Sequence, residues 1–185
     1  PSTSSAASDV YKRQILILLV GHVLTTTLVD RTDPSNFVTL ERDVPTQHQG
    51  MELVFTGVEV LSADERGYGY RIGDGYVGVV IEARDVGGSL LGTITPGMLR
   101  FDSPSGMVSA RSEVDRLTGA TGDTIVILDL LQSNELLSSM ILGQTDDVSE
   151  VRVTVHHLQG SHLVWAGWLM AVSYTHLTLP TRLMV

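Results

Sequence analysis

Two apolar runs without a single charge divide the chain: Ile15 to Val29, ILILLVGHVLTTTLV, stops at Asp30-Arg31, and His162 to Ala171, HLVWAGWLMA, follows a long polar stretch. A bilayer span needs about 20 apolar residues. Each run is too short as it stands and is expected to be one part of a truncated transmembrane helix. Trp165 and Trp168 suit an aromatic belt at a membrane interface, and their spacing equally suits ordinary core packing. Buried elements of a soluble domain are the other reading of both runs.

The residues beyond these runs have another origin. Ser4 to Gln14 back-translates into a string that looks like a standard transposase library adapter, and Val172 to Thr181 translates the reverse complement of that string. Ala171 and Arg182 also meet the codon constraints at its edges. Two ends related by strand complementarity leave little room for chance, so residues 1–14 and 172–185 are read as adapter-derived and set aside from function. They are expected to pack poorly, since no selection fitted them to a core. The remaining organisation is a truncated membrane helix over 15–30, a β-domain over 31–160 and the start of a second truncated helix over 161–171.

From residue 15 to 171 the chain has nine arginines, no lysine and twenty carboxylates, which leaves a formal charge of −11. Phosphate binding needs the opposite sign, so nucleic acid is not an expected partner. The chain has no cysteine, which removes disulfides, thiolate metal sites and cysteine nucleophiles.

Between the runs the apolar period is two. Met51 to Leu61, Tyr76 to Ala83 and Val151 to His157 alternate and are rich in Val and Ile, as half-buried strands are. In the last of these, Val151, Val153 and Val155 are expected to face the core, with Arg152, Thr154 and His156 outward. Asp123 to Leu131 reads as a more buried strand, and Glu135 to Leu142 suits a short helix or another strand. Gly87-Gly88, Pro96-Gly97 and Ser103-Pro104-Ser105-Gly106 supply turns. The expected fold is mainly β, an antiparallel β-sandwich or barrel-like domain of about seven to nine strands.

The order of segments carries a resemblance. An apolar run with a His, an acidic linker, GMELVFTGVEV, TITPGMLRFDSPSG, SARSEVD, GDTIVILD and VRVTVHHLQGSHLVWAGWLMA together resemble the C-terminal region of the CcmF-type cytochrome c haem lyases, over nearly all of residues 15–171. Pro96, Asp123 and Trp165-Ala166-Gly167 match features of that family. The resemblance implies an extracytoplasmic β-domain between two helices of the cell (inner) membrane, in a protein that attaches haem to apocytochrome c beside other cytochrome c maturation subunits. It implies haem b as a cofactor and His22 as one axial ligand. The Trp-rich haem motif of the family would lie upstream of Ile15, so the fragment is not expected to be active alone, and no catalytic residue is assigned to it. A membrane-anchored, non-enzymatic β-sandwich binding domain is the alternative.

His22 also draws attention on its own chemistry. A polar ring among Ile, Leu and Val needs a partner to offset its desolvation, and neutral imidazole is a common haem ligand. The plainer reading is a His near a helix end bonded to Thr25, Thr26 or water. His156 and His157 point to opposite faces of a strand and cannot chelate one metal together. His48 falls in a polar linker and His162 at the membrane boundary. Asp123 and Asp129 share a strand face about 20 Å apart, too far to share a proton, so solvated or capping roles are expected. No serine sits in a nucleophile elbow, and GYGYRIGDGYVG reads as hairpin turns rather than a phosphate loop. In the parent gene, the residues replacing 1–14 and those from 172 onward should be apolar and complete two spans of about 20 residues. Sequencing across both junctions checks this, and charged continuations on both sides would end the membrane reading.

Overall fold

The computed structural model describes residues 3–27, 33–65, 69, 72–119, 121–129, 131–132, 136, 138–139 and 148–178. The fold is mainly β and antiparallel. The strands are β1 (Phe37–Glu41), β2 (Thr46–His48), β3 (Met51–Ser62), β4 (Gly75–Asp85), β5 (Leu90–Ile94), β6 (Gly97–Asp102), β7 (Val108–Glu113), β8 (Asp115–Thr118), β9 (Gly122–Leu128) and β10 (Glu150–Gln159). The helices are α1 (Thr3–Thr27) and α2 (Ser161–Thr178). The chain forms two compact units. One comprises Pro1–Arg31, Thr118–Thr124 and His157–Val185; the other comprises Thr32–Leu117 and Ile125–His156.

In the β unit, one sheet runs β1-β10-β9-β8 and the other β2-β3-β4-β6-β7, with β5 also on β4. Three consecutive pairs of these segments are halves of one path. β1 pairs β10 while β2 pairs β3, and β7 pairs β6 while β8 stands beside β9. β5 and β6 likewise pair successive halves of β4. The alternating stretches therefore gave three strands close to their true extents. The short segments β5 to β8 are not separately legible in the sequence.

Both sheets turn valines, leucines and isoleucines toward one core. Leu40, Leu53, Phe55, Val79, Ile81, Val126 and Leu128 are buried in it with Val151, Val153 and Val155. Arg152 is exposed, and Thr154 and His156 are half-buried, so β10 has the expected register. Each such apolar side chain taken fully out of water contributes about 1.5–3 kcal/mol. A smaller cluster of Tyr76 and Leu99, with Leu61 and Phe101 against it, uses the other parity of β3, β4 and β6.

The break between β5 and β6 falls at Thr95-Pro96, where proline offers no N–H to a ladder. Neighbouring groups take up what the break exposes. Asp115 Oδ2 accepts the Thr95 N–H at 2.7 Å, the Tyr76 hydroxyl donates to the Thr95 carbonyl, and the Pro96 carbonyl accepts the Val79 N–H at 3.0 Å. Tyr76 reaches Thr95 across Gly78 and Gly97. A Cβ on either glycine would collide with its phenol, so both positions need glycine for lack of space.

β9 ends earlier than the expected Leu131. Asp129 Oδ1 accepts the Leu131 N–H at 2.9 Å, a local turn that draws the chain off the ladder, and Leu131 is exposed. Leu136, Ser138 and Ser139 are helical, which favours the helix of the two options there; the rest of Glu135 to Leu142 lies outside the described residues. The Tyr68 to Ile72 stretch is likewise mostly outside them.

In the helical unit, helix continues through both adapter junctions, at Gln14-Ile15 and Ala171-Val172. Gln14 is buried and donates Nε2–H to the Met170 carbonyl at 3.2 Å, while its Oε1 is buried without a hydrogen-bond partner among the described residues. An amide can satisfy a neighbouring carbonyl wherever geometry places it. Lys12 and Arg13 are exposed. Among the described residues, no helix is long and apolar enough to cross a membrane.

The Thr95 break yields a stability test. Asp115→Ala should lower the unfolding free energy by about 1–3 kcal/mol, the usual cost of an orphaned buried donor. Asp115→Asn should cost less, because its amide oxygen still accepts. Urea midpoints at constant m-value separate the two, and equal midpoints for wild type and Asp115→Ala would remove the clamp from the account.

Candidate functional site

His22 lies on the exposed side of α1. The hydroxyls of Thr25 and Thr26 donate to its backbone carbonyl, at 3.0 and 2.7 Å, and not to its ring. Threonine commonly makes this bond one turn back along a helix. The plainer sequence reading is thus half right: the threonines are helix-bound, but they leave the imidazole available. One such ring can supply one axial position of a haem. The second would have to come from elsewhere.

The residue before it sets how the helices meet. A Cβ on Gly21 would stand 2.7 Å from Val164 N, and one on Gly167 would stand 2.9 Å from Leu18 Cβ and 3.0 Å from Leu18 N. The two helices therefore touch backbone to backbone. Leu18, Leu163 and Val164 stand at this contact, whereas Ile15, Leu16, Leu19, Val23, Trp165, Trp168 and Leu169 are exposed. Trp165 and Trp168 meet edge to face, centroids 6.5 Å apart and planes at 85°. His162 is exposed in the first turn of α2.

Polar candidates gather where β9 and β10 meet α2 within the same unit. His157 lies within hydrogen-bond distance of Thr124 Oγ1 through Nδ1 (3.1 Å) and of Thr121 Oγ1 through Nε2 (3.4 Å). Its ring is occupied by hydroxyls, as a structural histidine is. Asp123 is buried rather than solvated, which corrects that expectation; its N–H donates to Ser161 Oγ at 2.9 Å, and Ser161 is buried as well. This bond ties the start of β9 to the start of α2. The sequence could not show it, since 38 residues separate the two groups.

In the β unit, Asp129 takes the capping role expected of it and adds an ion pair to Arg152, Oδ2 to Nε at 3.3 Å. The Arg152 guanidinium also lies 4.9 Å from the Phe37 ring centroid. With the Arg152 side chain nearly half exposed, solvent screens the pair and its contribution to stability is small.

His48 corrects a second expectation. It belongs to β2 rather than to a linker, and Gln49-Gly50 joins β2 to β3 with φ of 48° and 79°. Two positive φ values in a two-residue hairpin loop match the right-handed twist of the strands. The non-glycine member is held in place: Gln49 Nε2 donates to Asn36 Oδ1 at 3.1 Å and to the Val155 carbonyl at 3.3 Å. His48 is half-buried, and its Nε2 has no partner among the described residues. Burial lowers its pKa below the usual histidine value of 6.5.

Among the described residues, no three His, Cys, Asp or Glu side chains form a metal site. His22 is exposed in the middle of the first apolar run, and no hydrogen bond or ion pair occupies its ring among the described residues.

The chain matches no family model, no curated protein and no solved structure.

The His48 shift has a sign. With a folded pKa below the unfolded value, its contribution is complete above pH 6.5 and is lost as pH falls through the folded pKa. His48→Gln should remove this part of the acid sensitivity, so the stability gap between wild type and variant should change between pH 7.5 and 5, against the wild type at low pH. Urea midpoints across that range test it; a constant gap would mean that His48 titrates as it does when unfolded.

Proposed function

We propose that the chain is a fragment of a membrane-integral haem lyase component that helps attach haem to apocytochrome c. In this reading α1 and α2 are parts of two transmembrane helices of the cell (inner) membrane, and the β unit is a barrel-like extracytoplasmic domain between them.

The observation that carries the membrane part is the inverted packing of the helical unit. A water-soluble helix pair buries its leucines between the helices. Here Gly21 and Gly167 bring the backbones together beside Leu18, Leu163 and Val164, while Ile15, Leu16, Leu19, Trp165, Trp168 and Leu169 face outward. That arrangement suits a solvent as apolar as the side chains, where helices associate through small residues and close backbone contact.

The haem part rests on the order of segments that resembles the CcmF-type lyases, and on His22. The ring projects from α1 beside the glycine contact yet outside it, so a neighbouring segment of the parent can approach. Haem b, when bound, would supply the iron, and the part of this chain is to hold a neutral imidazole at one axial position in an apolar setting. The acidic balance of the chain suits guidance of a basic apocytochrome or a partner subunit.

The test uses the full-length parent in detergent. His22→Ala should abolish or shift the optical spectrum of bound b-type haem at near-normal protein level, because loss of an axial imidazole changes the iron's ligand field. His22→Gly with added imidazole should regain part of that spectrum. An unchanged spectrum with normal cytochrome c assembly would make His22 structural. A parent gene encoding only one anchor helix upstream would favour the non-enzymatic binding domain.

A further inference from the structure

The core face of the β unit opens at one end into a cavity of about 80 Å³. Strand alternation locates it. Gly75 and Val77 of β4 share their face with the core residues Val79 and Ile81. Their cross-strand partners are Ser62 and Val60 on β3, and Arg100 and Met98 on β6. All six line the cavity. Val77 and Met98 are buried there, yet neither belongs to either apolar cluster. The cavity therefore continues the core without being filled by it.

One polar group sits among these walls with an unmet need. Arg100 lies across Gly75, where a Cβ would stand 3.6 Å from Nε. Its Nη2 donates to Asp102 Oδ2 at 2.9 Å, which fixes the plane of the guanidinium. Its Nε is buried and has no partner among the described residues. A buried donor without an acceptor is unfavourable, and a ligand that supplies one gains by that amount.

The sign of the ligand follows from the neighbours. Asp74 lines the same cavity, and its Oδ2 accepts the Asp102 N–H at 2.7 Å. One carboxylate thus pairs with the guanidinium and a second lines the same cavity. A further anion would meet net repulsion, whereas a neutral oxygen would meet none.

We propose that this cavity is a binding site for a small uncharged molecule with a short branched apolar body and one carbonyl oxygen. The body lies against Val60, Val77 and Met98, and the oxygen accepts from Arg100 Nε–H. An apolar cavity of about 150 Å³ holds benzene, so this volume suits about four to six non-hydrogen atoms. The site is independent of the membrane and haem reading, since every residue in it belongs to the β unit.

Isobutyramide is a suitable probe and isobutyrate its charged counterpart. In the ¹⁵N-labelled chain, the Arg100 Nε–H resonance, assigned by its loss in Arg100→Met, should shift saturably with isobutyramide. Isobutyrate should bind at least about tenfold more weakly, and Arg100→Met should weaken isobutyramide, followed through the Val77 amide, by a similar factor, the scale of one hydrogen bond to a charged donor. Val60→Phe should abolish the shift by filling the opening, and at 42% exposure Val60 tolerates a larger ring; amide dispersion confirms the fold of each variant. An Arg100 resonance that does not move, as when a water holds the place, overturns the proposal. So does an equal affinity for isobutyrate, or an unaltered shift in a folded Val60→Phe chain.

Discussion

Because Pro96 has no hydrogen to give, the path from Leu90 to Asp102 cannot stay paired through its middle, and the groups around it are arranged to meet that deficit. Asp115 takes the stranded Thr95 N–H, and Asp115 is the first residue of β8, where the chain leaves β6 for β9. The carboxylate that closes the gap therefore also marks where one sheet passes to the other. Tyr76 supplies the second contact and in doing so forbids side chains at Gly78 and Gly97. One proline nitrogen thus goes with a carboxylate, a phenol and two glycines on three strands, β8, β4 and β6.

How much of this the sequence displayed depends on what each residue answers to. Val151, Val153 and Val155 answer to water on one side and core on the other, so period two exposes them at once. β7 reads Val-Ser-Ala-Arg-Ser-Glu and is mostly exposed, so burial left no pattern in it to find. Thr46 to His48 was missed because Gln49-Gly50 is a rarer form of hairpin turn than Asn-Gly; its Gln is tolerated at positive φ through contacts to Asn36 and Val155. Asp123 looked solvated because carboxylates generally are. Its burial beside Ser161 is a tertiary fact. For His22, the uncharged run disclosed an apolar setting but not which side of the helix the ring would occupy, since apolar residues surround it on every side of the helix.

The helical and β units solve the burial problem in opposite ways. In the β unit, branched apolar side chains fill the interior and polar ones face out, as the hydrophobic effect demands in water. In the helical unit two glycines let the backbones meet beside Leu18, Leu163 and Val164, and the two tryptophans face away. The acidic balance lies almost wholly between the two apolar runs, so composition changes where the packing rule does.

β1 and β10 pair antiparallel, with Phe37 opposite Thr154 and Glu41 opposite Glu150. The first and last strands thus lie side by side, with the start of β1 and the end of β10 at the same end. First and last strands that end together let the segments before and after them follow on without a long connection, so closing the sheet order costs little loop entropy.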